Sequence, residues 1–109
     1  MKLLIAGSRG ITEFAFTGLI DDDVDTIISG GAKGIDTLAE EYADKHRLSK
    51  IILRPAYNIY GKAAPLKRNE EMVRMADKIL IVWDGKSKGT LHTINYANKL
   101  NKTVRIEHL

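Results

Sequence analysis

Five short apolar runs rich in Leu, Ile and Val recur along the chain. They lie near residues 2–7, 26–29, 50–54, 78–83 and 103–107. The runs are continuously apolar and do not alternate with polar residues. This pattern predicts strands that are covered on both faces, as in a parallel sheet.

Apolar residues spaced three and four positions apart predict helices between these strands. The clearest helix spans residues 32–46, another begins at Pro65, and the last lies around residues 91–100. A first helix is expected around residues 12–22, where Gly18 interrupts the pattern. The stretch from Tyr57 to Ala64 has little periodicity, so we expect it to be irregular and to cover the site.

The order of these elements favours an α/β fold in three layers, a doubly wound sheet of five mainly parallel strands in the order 3-2-1-4-5. A chain of 109 residues has room for a single domain, residues 1–109. The strand order reverses between the first and fourth strands, which is where such sheets bind ligands. We therefore expect the turns after the first, second and fourth strands to lie together.

Each of these three turns is rich in small residues and leads into a predicted helix. The turns are GSRG at 7–10, SGGAKG at 29–34 and DGKSKGT at 84–90. Backbone N–H groups and helix N-termini at such turns can hold an anion, most often a phosphate. A single glycine is as consistent with a tight turn alone, but three such turns at one sheet edge favour an anion site.

The turns do not match the two commonest phosphate-binding motifs. A P-loop needs a glycine five residues before Gly85, and position 80 is leucine. A dinucleotide fingerprint needs G-x-G-x-x-G after the first strand and an acidic residue after the second. Here the first turn is Gly7-x-x-Gly10 and the second strand ends in Ser29-Gly30. The sequence therefore does not favour a conventional ATP or NAD site.

Composition narrows the chemistry further. The chain has no cysteine, which excludes disulfides, a thiolate nucleophile and cysteine-based metal sites. Its three histidines are scattered, so we expect no metal and no cofactor. The apolar run from Leu3 to Ala6 is too short for a signal peptide or a membrane span, which favours a cytoplasmic protein without a membrane partner.

Charge is distributed unevenly along the chain, whose net charge is +3. Residues 1–50 contain six Lys and Arg against nine Asp and Glu, whereas residues 51–109 contain eleven against five. A basic C-terminal half can attract phosphates or nucleic acid through its summed field.

Taken together, these motifs resemble the SLOG superfamily of Rossmann-like proteins and, within it, the small group related to the YpsA protein. The resemblance covers nearly the whole chain, with GSRG at 7–10, SGGAKGIDTLAEEYA at 29–43, YGKAAPLKRNEEMV at 60–73 and WDGKSKGT at 83–90. It implies a nucleotide-binding domain for a nucleotide or a nucleotide-derived phosphorylated ligand, in sensing, sequestration or processing. It also implies a homo-oligomer.

A first alternative comes from similarity to the cytokinin-activating phosphoribohydrolases, which hydrolyse the N-glycosidic bond of a nucleoside 5′-monophosphate. Arg68 and Met72 match their R-K-x-x-M segment, and Gly89 and Thr90 match P-G-G-x-G-T-x-x-E. Thr93 stands at the position of the motif's glutamate, which weakens this alternative because a carboxylate stabilises the oxocarbenium-like transition state. Glu70 and Glu71 are the catalytic candidates that the chain offers instead, and Asp36 and Asp84 are two further carboxylates that could substitute.

A second alternative comes from similarity to the DNA-processing protein A family, which binds single-stranded DNA. The chain shares with it the G-S-R turn, most of an S-G-x-A-x-G-I-D segment, and the Arg68-Asn69 pair. Single-strand binders add aromatic stacking platforms along a basic groove. Tyr57, Tyr60 and Trp83 are the candidates, among only seven aromatic residues.

The motifs and the turns together define one candidate ligand site. In this hypothesis the turns hold phosphate oxygens, Arg9 and Arg68 neutralise charge, Tyr60 stacks on a base, and Asn69 bonds the sugar or base. The predicted ligand-binding set is Gly7, Ser8, Arg9, Ser29, Gly30, Gly31, Ala32, Lys33, Gly34, Tyr60, Arg68, Asn69, Asp84, Ser87, Gly89 and Thr90.

Overall fold

A five-stranded, fully parallel sheet forms the centre of the computed structural model, which describes residues 1–109. Numbered along the chain, its strands lie in the spatial order 3-2-1-4-5. This order and the parallel pairing confirm the predicted α/β fold. The strands are β1 (Lys2–Gly7), β2 (Thr26–Ser29), β3 (Ser49–Ile52), β4 (Lys78–Trp83) and β5 (Thr103–His108).

The central strands are the most apolar because both of their faces are covered. Leu4 of β1 pairs with Ile28 of β2 on one side and with Ile79 of β4 on the other, and all three side chains are buried. The edge strands β3 and β5 are partly exposed. The continuous apolar pattern therefore identifies the middle of the sheet.

Helices cover both faces of the sheet and complete the three layers. One apolar cluster joins β1 and β4 to the helix at Ile35–Lys45, and a second joins the opposite face to the helices at Ala64–Met75 and Lys88–Lys99. None of the helices combines the length and the hydropathy of a membrane span. The helices are α1 (Ile35–Lys45), α2 (Tyr57–Tyr60), α3 (Ala64–Met75) and α4 (Lys88–Lys99), with a 3₁₀ turn at Gly61–Ala63.

The expected helix around residues 12–22 is wrong. The connection from β1 to β2 is irregular, and Gly18 adopts a φ of 76°, which a right-handed helix does not permit. Phe16 and Val24 anchor this connection by entering the core beside α1. Burial of single apolar residues, and not a helical stripe, therefore produced the apolar positions seen in the sequence.

The prediction that residues 57–64 are irregular is also wrong. This stretch forms α2 and the 3₁₀ turn, and then enters α3 at Ala64. Four helical residues are too few to show a periodic pattern. The N–H groups of Ile59 and Tyr60 both donate to the carbonyl oxygen of Ala56, which closes the short turn.

Candidate functional site

A cleft of about 400 Å³ lies at the carboxyl ends of β1 and β4, where the strand order reverses. This volume falls within the range of small-molecule sites. The turn after β1 contributes Gly7 and Arg9, and the turn after β2 contributes Ala32. The remaining predicted residues that line it are Arg68 and Asn69 of α3, and Asp84, Ser87, Gly89 and Thr90 before and within α4.

The three glycine-containing turns meet as the strand order predicts. The N–H group of Asp84 donates to the hydroxyl oxygen of Ser8 at 3.0 Å, and Ile35 N–H donates to the Ser8 carbonyl oxygen at 3.4 Å. A Cβ on Gly7 would lie 2.2 Å from the Val82 carbonyl oxygen, and one on Gly34 would lie 2.5 Å from the Ser8 carbonyl oxygen. Both glycines are therefore required by close backbone packing.

Two backbone N–H groups at the start of α4 have no hydrogen-bond acceptor within the protein. Asp84 Oδ1 accepts hydrogen bonds from Lys86 N–H at 2.8 Å and from Ser87 N–H at 3.1 Å, and these bonds lower the pKa of Asp84. Ser87 is the N-cap, and its hydroxyl oxygen accepts from Thr90 N–H. The N–H groups of Lys88 and Gly89 precede the first intrahelical bond and donate to no protein atom.

Asp36 is a nearly buried carboxyl group in the first turn of α1 and lines the cleft. Its Oδ2 accepts a hydrogen bond from Ala32 N–H at 3.1 Å, while its Oδ1 accepts none from the protein. Burial raises the pKa of Asp36, although the hydrogen bond from Ala32 and the charges of Arg68 and Arg9 act in the opposite direction.

Arg68 is half-buried and joins three parts of the molecule. Its Nη1 donates to the carbonyl oxygens of Gly30 at 2.6 Å and Leu53 at 3.3 Å, and its Nε donates to Asn69 Oδ1 at 2.8 Å. Burial lowers the pKa of Arg68, and the nearby carboxylate of Asp36 opposes this shift. Nη2 donates to no protein atom, so this arm of the guanidinium is free for a ligand.

Several predicted residues lie outside the cleft. Gly31 N–H donates to the hydroxyl oxygen of Ser29, which itself donates to Glu40 Oε2 at 2.7 Å. With Ala32 N–H bonded to Asp36, two of the predicted phosphate-binding amides are already satisfied within the protein. The predicted residues that do not line the cleft are Ser8, Ser29, Gly30, Gly31, Lys33, Gly34 and Tyr60.

The two catalytic candidates also lie outside the cleft. Glu70 Oε2 is 2.9 Å from His92 Nε2, a contact that links α3 to α4, and Glu71 is exposed. Thr93 does line the cleft, and its hydroxyl donates to the Gly89 carbonyl oxygen at 3.1 Å. No group of three or more His, Cys, Asp or Glu side chains is arranged to hold a metal ion.

The predicted binding set omitted several residues of the cleft, among them Asp36, Leu66 and Met72. Leu66, Asn69 and Met72 are spaced three apart, so they share one face of α3 and form a partly apolar wall. That spacing is visible in the sequence. The sequence offers Asp36 as a possible catalytic carboxylate and not as a ligand-binding residue, because an acidic residue at the start of a helix also suits the helix dipole.

Comparison of the chain with protein-family models, curated proteins and solved structures finds no match.

Proposed function

We propose that this protein binds a nucleotide or a nucleotide-derived phosphorylated ligand in the cleft at the switch point of the sheet. One observation carries the proposal: Arg9 and Arg68, from separate elements, line the same cleft as the open first turn of α4. Guanidinium groups and helix N-termini are the two protein features that best accommodate a phosphate.

The phosphate end of the ligand is assigned to α4. The N–H groups of Lys88 and Gly89 are free, and the helix dipole favours negative charge at this position. Gly89 leaves space, since a Cβ there would have only the Asn69 side chain at 4.0 Å. Arg9 and the Nη2 group of Arg68 then supply the positive charge.

The rest of the ligand is assigned to the wall formed by α3. Leu66 is 41% exposed and offers apolar surface, Met72 is buried at the base of the same wall, and the Asn69 side chain supplies an amide that hydrogen-bonds. A base or a sugar has both an apolar face and polar edges, whereas inorganic phosphate has no apolar surface that could pack against such a wall. The composition of the cleft therefore favours a nucleotide-type molecule over a simple anion, in line with the resemblance to the SLOG superfamily.

The two alternative functions have less support from the site. N-glycosidic hydrolysis requires a carboxylate at the scissile bond, and Glu70 and Glu71 do not line the cleft. The two carboxylates that do line it, Asp36 and Asp84, each accept hydrogen bonds from backbone N–H groups of their own turns. Binding of single-stranded nucleic acid requires aromatic platforms, and the exposed Tyr57 and Tyr60 lie outside the cleft. The expectations of a homo-oligomer and of a cytoplasmic location stay predictions.

Native mass spectrometry of the purified protein, followed by calorimetric titration with AMP, tests the proposal. We expect Arg9→Ala to weaken AMP binding about tenfold, because hydrogen bonds to charged groups contribute about 1.5–3 kcal/mol. Lys99→Ala, at the opposite end of α4, removes the same charge and should change affinity less than about twofold. Absence of any bound phosphorylated compound and of any response to AMP would refute the function.

A further inference from the structure

Two carboxylates share the cleft with the two arginines. Asp36 comes from α1 and Asp84 from the turn after β4, and both line the same space as Arg9 and Arg68. The formal charges therefore balance before any ligand enters. A cleft suited to several phosphates would carry an excess of positive charge, since each phosphoryl group adds negative charge that must be offset.

The two carboxylates also occupy N–H groups that could have bound phosphate. Asp36 accepts from Ala32 N–H, and Asp84 accepts from the N–H groups of Lys86 and Ser87. Each carboxylate therefore occupies, within its own turn, N–H groups to which a ligand anion could otherwise bind. At the start of α4, by contrast, the N–H groups of Lys88 and Gly89 donate to no protein atom.

The second oxygen of Asp36 has no partner. Asp36 is 7% exposed, yet its Oδ1 accepts no hydrogen bond from the protein and the side chain borders the cleft. Because no buried side-chain oxygen of the protein lacks a partner, Oδ1 is accessible from outside, and a donor on a ligand can reach it. The phosphoryl oxygens of a phosphate monoester are mostly ionised acceptors at neutral pH, so the complementary group on such a ligand is a hydroxyl or an amine.

From these contacts we propose that the cleft selects a sugar phosphate with a single phosphoryl group, and that Asp36 determines this specificity by accepting a hydrogen bond from a sugar hydroxyl. The inference rests on the proposed function and narrows its ligand class. The phosphoryl group lies at the start of α4, the hydroxyl lies at Asp36, and a second phosphoryl group is disfavoured because Asp36 and Asp84 repel it.

Calorimetric titration of the wild-type protein with ribose 5-phosphate, AMP, ADP, inorganic phosphate and pyrophosphate tests the ligand class. We expect ribose 5-phosphate and AMP to bind about tenfold more tightly than inorganic phosphate, because only they supply a sugar hydroxyl to Asp36 in addition to the phosphoryl group at α4. ADP should bind more weakly than AMP. If ADP and pyrophosphate bind as tightly as AMP or more tightly, the inference is overturned while the proposed function stays intact.

The variant Asp36→Asn tests the assigned residue. Asparagine retains an oxygen that accepts from Ala32 N–H, so the turn is preserved, but the second position becomes a donor. We expect ribose 5-phosphate to lose about tenfold in affinity, while inorganic phosphate binds equally or more tightly because a negative charge has left the cleft. Asp44→Asn is the matched control, since Asp44 is exposed on the same helix outside the cleft.

The outcomes separate the two proposals. If Asp36→Asn weakens ribose 5-phosphate and inorganic phosphate equally, or weakens neither, Asp36 does not read a hydroxyl. If no phosphorylated compound binds to the wild-type protein, both the inference and the proposed function are refuted. The wild-type comparison of AMP with ADP decides the ligand class even if the variant fails to fold.

Discussion

Arg68 Nη1 donates to the carbonyl oxygen of Gly30 at 2.6 Å, across 38 positions of the sequence. This bond fastens α3 to the turn after β2, and it leaves no space at Gly30, where a Cβ would lie 2.7 Å from the same nitrogen. A second bond from Nη1 reaches the carbonyl oxygen of Leu53, just beyond β3. The guanidinium of Arg68 therefore connects α3 to the segments that follow β2 and β3.

Loss of this guanidinium should lower stability as well as ligand affinity. We expect Arg68→Ala to reduce the free energy of unfolding by about 1.5–3 kcal/mol, the contribution typical of hydrogen bonds to a charged group. Urea denaturation followed by circular dichroism measures the change. The control Lys67→Ala removes an exposed charge from the same helix and should alter stability by less than about 0.5 kcal/mol. An Arg68→Ala variant as stable as the wild type would contradict the role described for Nη1.

The two glycines of the first turn should respond very differently to alanine. Gly7→Ala places a Cβ against the backbone oxygen of Val82 and the side chain of Ile35, so we expect a loss of at least about 1–3 kcal/mol. A Cβ on Gly10 would meet no atom within 4 Å, so Gly10→Ala should leave the melting temperature close to that of the wild type. Thermal denaturation of both variants is the measurement, and equal sensitivity would argue against the packing of this turn.

Asp36 makes stability depend on pH in a defined direction. In the unfolded chain Asp36 titrates near its usual pKa of 3.8, whereas burial raises the pKa in the folded state. Because the folded state then binds the proton more strongly, the contribution of Asp36 to stability is complete below pH 3.8 and is lost as pH rises through the raised pKa.

Asp36→Asn removes this titration. We expect the variant to be more stable than the wild type at neutral pH, with the difference narrowing as pH falls toward 3.8. Urea denaturation of both proteins over a series of pH values gives this difference directly. A difference that does not vary with pH would show that burial does not disfavour the ionised form.

Substitutions at Ser87 can separate its capping role from ligand binding. Ser87→Ala removes the acceptor of Thr90 N–H and should cost about 0.5–2 kcal/mol, the usual effect of losing an N-cap. Ser87→Asp restores a capping oxygen but places a negative charge beside the proposed phosphate position. We expect the aspartate variant to regain stability and yet to bind AMP more weakly than the alanine variant. If Ser87→Asp regains both stability and AMP affinity relative to Ser87→Ala, a phosphate at this helix end is contradicted.

Much of the fold follows from the sequence because the strands are buried on both faces. Continuous apolar runs identify β1 and β4, and the spacing of Ile35, Ala39 and Ala43 identifies the buried stripe of α1. The region around residues 12–22 was predicted wrongly because its apolar residues enter the core singly. A positive φ at Gly18 is set by where the chain must return to begin β2, which periodicity does not reveal.

The position of the cleft was also predictable, whereas the groups that it leaves open to a ligand were less so. Strand order alone brings the three glycine-containing turns together, and nine of the expected residues line the cleft. Local pattern does not decide which N–H groups stay open, because a carboxylate such as Asp36 or Asp84 can turn back onto its own loop. The contact between Arg68 and Gly30 depends on the packing of α3, which no short motif encodes.

The irregular connection between β1 and β2 is held by fewer backbone hydrogen bonds than the sheet is. From residue 9 to residue 24 only three backbone N–H groups, those of Ile11, Leu19 and Val24, donate to another backbone group. Such a segment exchanges its amide hydrogens through local opening long before the sheet unfolds. Because Arg9 begins this segment, an anion that fixes Arg9 would slow hydrogen exchange along it. Amides that contact no ligand atom would then report that the cleft is occupied.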